Sequence, residues 1–239
     1  IFWLLTLLNG KFHITDRFTT RMKKIRELAY AEEGEVSLNP ATSSFIKYVD
    51  SLVYAFYVIT HPFDGFWDLK HEKRGNTGAA ATLVVVLSLV YVFMRQYTGF
   101  IFNKLRLADL NIIVEFGSVL IPFVLWCVVS WSLTTLMEGK GTFRDIVIAT
   151  AYALTPLILF NLPLTILSNM ITIQEGAFYY LFTVVAIIWA VGLLVIGTMV
   201  THDYSMGKTI LTCFLTLVGI VVVLFIALLL VGVMGQVTG

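Results

Sequence analysis

The sequence predicts an all-α fold, a polytopic membrane bundle of five transmembrane helices preceded by the end of another. Three observations carry this. Hydrophobic residues make up 58% of the 239 residues and charged residues only 13%, against roughly 25% charged in ordinary globular chains. The charges cluster before Gly75 and in short stretches between long uncharged runs. Those runs have the ~17–25 residues of a spanning helix and lack the strict alternation of barrel strands.

The chain opens with "IFWLLTLLNGK". Its eight-residue apolar stretch falls short of the ~20 residues a span requires. Residues 1–10 are read as the last turns of a preceding transmembrane helix, or as a short membrane-surface segment. Residues 11–55 form a linker with an amphipathic helix. "RMKKIRELAYAEEGE" suits a solvated helix and "NPATSS" a break. Phe45, Val49, Leu52, Phe56 and Ile59 then recur at spacings of four and three, one face of a helix. Lys47, Asp50 and Ser51 lie off that face.

"HPFDGFWDLKHEKRGNT" follows. Pro62 ends the preceding helix, because it lacks an N–H and crowds the residue before it. Phe63, Phe66 and Trp67 are expected at headgroup depth. Lys70, Lys73 and Arg74 are expected to face lipid phosphates, and Asn76 or Thr77 to cap the next helix. The stretch reads as an interfacial anchor or as a partner-binding surface, with His61, Pro62 and Asp64 among its candidate contacts.

The spans run roughly over 78–94, 116–137, 146–168, 177–201 and 209–234. Lys70, Lys73 and Arg74 precede the first, Lys140 and Arg144 lie between the second and third, and Lys208 precedes the fifth. The bias of Lys and Arg toward the cytoplasm puts these loops and residues 11–74 inside, in a cytoplasmic membrane. Glu175 and the C-terminal end then face outside. The loop carrying Arg95, Lys104 and Arg106 runs against this bias, and its Phe100, Ile101, Phe102 and Leu105 suggest that it rests on the far interface.

Few residues suggest chemistry. "MGKT" at 206–209 has His202 where a phosphate-binding loop needs its first glycine, and it lies between apolar helices. Lys208 is read as a topological charge. In "GKGTFRD", Thr142 and Asp145 form a capping box with Asp in place of Glu, while Arg144 and Asp145 are also candidates for a partner. The four histidines lack zinc-helix spacing. Cys127 and Cys213 read as small packing residues. A net charge of +1 and the lack of a basic aromatic stripe exclude nucleic acid. Pro156 and Pro163 flank Asn161 in the third span. They break its hydrogen-bond ladder, leaving either a kink or a broken helix that lines a substrate site.

These pieces resemble the Yip1 domain family: "HPFDGFWDLKHEKRG" before the first span, "GKGTFRDIVIATAYALTP" leading into the third with its Tyr152 and Pro156, and "HDYSMGKT" before the fifth. The resemblance covers about residue 56 to the C-terminus, is nearest to bacterial members, and implies a five-helix membrane domain over 56–239. It implies no catalytic residue and no cofactor. Some bacterial members look associated with ABC-type sugar transport systems. The expected function is therefore a membrane scaffold or accessory subunit that contacts lipids and another integral membrane protein. The alternative is a small transporter or lipid-handling protein using Pro156, Asn161 and Pro163. No enzyme is expected.

Overall fold

A computed structural model describes residues 40–72, 74–103 and 111–238. The expected helix end at 1–10, the solvated helix at 21–35, Lys73, Lys104, Leu105 and Arg106 lie outside the described residues. Contacts divide the chain into one unit at 1–54 and another at 55–239. Of the first, the described part is most of α1, Pro40–Thr60, where the Ser51 hydroxyl donates to the Lys47 carbonyl.

The described residues of the second unit form helices joined by short connections, with no strand among them. The last turn of α1 leads into α2, Pro62–His71. Pro62 does end α1, and it also opens α2, because the first helical position needs no N–H. Five helices or helix pairs follow that are long and apolar enough to cross a membrane. They are α3, Thr77–Tyr97; α4, Ile112–Leu136; α5, Phe143–Ala153, with α6, Thr155–Leu167; α7, Gly176–His202; and α8, Met206–Thr238.

Caps set several boundaries. Asn76 opens α3 by accepting from the Gly78 N–H at 3.0 Å, and Asn111 opens α4 on Ile113 in the same way. The capping box at the start of α5 is present. Asp145 Oδ2 accepts from the Thr142 N–H at 2.9 Å, and Thr142 Oγ1 accepts from the Asp145 N–H at 3.4 Å. A second box, Thr172 with Glu175, precedes α7.

The third span is two helices, where the apolar run suggests one. Leu154 is both the last cap of α5 and the first of α6. Pro156 cannot donate an N–H at this point, and the ladder restarts with Leu157 donating to the Leu154 carbonyl at 3.0 Å.

The chain alternates direction, so the bundle has two ends. At one end, Arg95 of α3 meets Glu115 of α4 at 3.2 Å. There Phe102 stacks on Tyr179 at 4.7 Å, so this ring is held by α7 as well as by any interface. At the other end lie the starts of α3, α5 and α8 and the last residues of α4 and α7. Buried small residues bring the helices together: Ala79 and Ala80 of α3, Ala149, Ala151 and Ala153 of α5, Ala186 and Ala190 of α7. Helices in lipid gain by close backbone approach, since lipid tails are as apolar as leucine.

Candidate interface at the Asp203 end

The turn between α7 and α8 is the centre of this end. Asp203 adopts the left-handed conformation, φ 53° and ψ 42°, which Asp tolerates better than most residues. Its carboxylate lies 3.4 Å from the Lys70 ammonium of α2 and 3.4 Å from that of Lys140, in the loop between α4 and α5. Partial burial raises the Asp203 carboxyl, but the two ammonium groups outweigh it and hold the group below the usual carboxylate range.

His202 is 2% exposed. Its ring lies against Tyr204 with centroids 5.3 Å apart, and its Nδ1 accepts from the Gly141 N–H at 3.3 Å. Two glycines make this possible. A Cβ on Gly139 would fall 2.5 Å from His202 Nδ1, and one on Gly141 would fall 2.9 Å from His202 Cε1.

The same turn closes α4. A helix C-terminus leaves carbonyls without partners and carries a partial negative charge. The Lys208 ammonium donates to the Met137 carbonyl at 2.7 Å and sits 4.2 Å above the Tyr204 ring. The Tyr204 hydroxyl donates to the Met137 carbonyl at 3.2 Å. Burial, aided by the Glu138 charge, pushes the Tyr204 phenol up, so it keeps its proton at neutral pH. The Lys208 charge thus has a packing role that a topological reading misses.

α2 seats itself beside this turn. Phe66 is 1% exposed, and a Cβ on Gly197 would lie 3.1 Å from its ring. This differs from the expected headgroup position, because Phe66 shares the inner face of α2 with Gly65 and Leu69. Phe63 and Trp67 remain about half exposed. Lys70 and Arg74 also differ from the expectation of free contacts with lipid phosphate. Lys70 pairs with Asp203, and Arg74 lies 2.7 Å from Glu72 and 3.7 Å from Asp68. His61 is exposed and stacks on Tyr57, and Asp64 lies in the first turn of α2. Arg144 donates to the Thr77 hydroxyl at 3.0 Å and so ties the start of α5 to that of α3.

The three separated motifs therefore meet in one place. The α2 stretch, the loop around Gly139–Asp145 and the turn at His202–Lys208 form one polar closure. The Yip1 domain family profile matches residues 56–229. The chain belongs to the Yip1 domain family. No curated protein and no solved structure matches it. In this Yip1 domain protein the residues that carry the family resemblance hold helix ends together. The sequence does not mark His202 and Tyr204 as contacts, although the two glycines around Lys140 and the His-Asp-Tyr turn are a usable signal.

Pro156, Asn161 and Pro163 differ in their surroundings. Pro156 is buried, Asn161 is half-buried and Pro163 is exposed. Asn161 contributes its backbone carbonyl to the Thr165 hydroxyl at 2.7 Å. A narrow gap between α4, α5 and α7 is lined by Ser130, Thr150, Thr198, Thr201 and His202, and by none of those three. Among the described residues there is no group of three or more His, Cys, Asp or Glu that could hold a metal.

Proposed function

We propose that this integral membrane protein is a scaffold or accessory subunit that binds another integral membrane protein through the outer half of α8. The supporting observation is that α8 leaves the bundle. Near its middle a Cβ on Gly219 would lie 2.6 Å from Val129 of α4. From Val221 to Met234 every residue is exposed. This is roughly 20 Å of helix at 1.5 Å per residue, apolar on all sides and continuous with a span. The other spans keep one face on a neighbour. A helix so exposed offers surface for the close packing that drives association in lipid.

The family resemblance favours a bacterial cytoplasmic membrane and a subunit of an ABC-type sugar transporter as the partner. The reading assigns no catalysis, because the polar groups of the Asp203 end cap helices and pair with one another. A photo-crosslinking residue at Leu228 or Val231 in the intact protein tests it. A discrete membrane protein crosslinked to these positions, and copurifying in mild detergent, is the expected result. Crosslinks to lipid alone, with recovery as a bare monomer, overturn it.

One observation favours the alternative of a small transporter or lipid-handling protein. At the break between α5 and α6, the Thr155 hydroxyl is buried without a hydrogen-bond partner, as at a site awaiting a polar group. Liposomes holding the purified protein should then move a solute or lipid, and Asn161→Ala should slow the movement. No movement across a broad panel removes this reading.

A further inference from the structure

We infer that α2 is a membrane-embedded wedge, inserted in the leaflet at the Asp203 end through Phe63 and Trp67, and that its insertion is apolar and independent of anionic lipid. The occupant of this face is the interfacial zone of the bilayer itself.

Depth comes first. Phe66 packs at Gly197, and α7 continues from there to His202. That is about one and a half turns, or roughly 8 Å along the helix axis. Phe66 and Leu69 also line one gap together with Ile148, Ala149 and Thr201, which belong to α5 and α7. α2 therefore lies beside the first turns of the spans and not above them. Phe63 precedes Phe66 by about one turn on the same helix, while Lys70, one turn after it, reaches Asp203 at the end of the bundle.

The distribution of side chains around α2 gives the direction. Gly65, Phe66 and Leu69 are buried against the protein. Phe63 and Trp67 stand one turn apart and extend the apolar arc past the edge of that contact, at 53% and 51% exposure. Asp64 and Asp68 stand one turn apart off both of these faces, and Glu72 caps the helix end. This is a helix with one part of its apolar arc on protein and the other on lipid, with Asp64 exposed beyond them.

The charge pattern decides the lipid. Lys70 is committed to Asp203, and Arg74 to Glu72 and Asp68. Asp64 on α2 is exposed and adds negative charge to the same stretch. The described cations of this stretch, Lys70 and Arg74, are thus both paired with acids, and the ring pair supplies the attachment.

Nitroxide labels on single cysteines test this in full-length protein in liposomes, with Cys127 and Cys213 replaced by Ala. Labels at Phe63→Cys and Trp67→Cys should collide severalfold more with oxygen than with a water-soluble nickel complex. A label at Asp64→Cys should show the reverse. The pattern should be the same in pure phosphatidylcholine and in vesicles that contain phosphatidylglycerol. Quenching by brominated lipid, compared between the native chain and Trp67→Phe, gives a second measure of the Trp67 depth without labels. Equal nickel access at all three positions overturns the insertion. Insertion only in phosphatidylglycerol vesicles overturns its apolar origin. Either result is independent of whether a protein partner exists.

Discussion

The ring of Phe66 rests on Gly197, in a space that a single methyl group would narrow to 3.1 Å. This contact fixes α2 against α7 and brings Lys70 to Asp203. Gly197→Val adds branched bulk where there is no room, and overpacking of this kind costs about 1–3 kcal/mol. The expected result is a lower unfolding midpoint in detergent. Phe66→Ala should also lower it, while Phe63→Ala, at an exposed ring, should leave it nearly unchanged.

Asp203 couples stability to pH. Its folded carboxyl is held below the usual carboxylate range by Lys70 and Lys140. The contribution is therefore present above the unfolded value of about 4 and is lost as pH falls through the lower folded value. The pair is partly exposed, so solvent and salt screen it and the loss stays below about 1 kcal/mol. Asp203→Asn keeps the left-handed turn but removes the charge. It should flatten the acid end of the stability profile without moving the neutral plateau by more than that amount.

The two glycines beside His202 leave no freedom for substitution. Gly139→Ala would put a methyl group 2.5 Å from His202 Nδ1 and 2.7 Å from the Tyr204 hydroxyl. Both rings are fixed by stacking and hydrogen bonds. Loss of about 1–3 kcal/mol is expected, together with earlier proteolysis of the loop around Lys140. A variant as protease-resistant as the native chain would show that the loop can move aside.

Topology follows from the basic residues at the Asp203 end. Lys70, Lys140, Arg144 and Lys208 all lie there, and the bias of such residues predicts that this end faces the cytoplasm. Gln174, exposed in the turn before α7, then faces outside. A cysteine at Gln174 should react with an impermeant thiol reagent in intact cells. Reaction only after lysis would invert the orientation.

The sequence by itself determined what depends on neighbours along the chain. Runs of apolar residues place the five spans, because crossing a bilayer is a matter of length and local polarity. Asn76 and the Thr142–Asp145 box mark helix starts, because a cap reaches only two or three residues. Pro156 marks a break for the same local reason. Tertiary structure decided what depends on which helix stands beside which. The composition of α2 offers Phe63, Phe66 and Trp67 as equal candidates for the interface, and only the position of Gly197 takes Phe66 out of that set. The charges of Lys70 and Arg74 look free until Asp203 and the fold of α2 supply their partners. His202 belongs to the HDYSMGKT motif, but the motif does not say what the ring touches. Its burial follows from a loop far away in sequence whose two glycines leave room for an imidazole, and the apolar pattern of the spans holds no record of that distance.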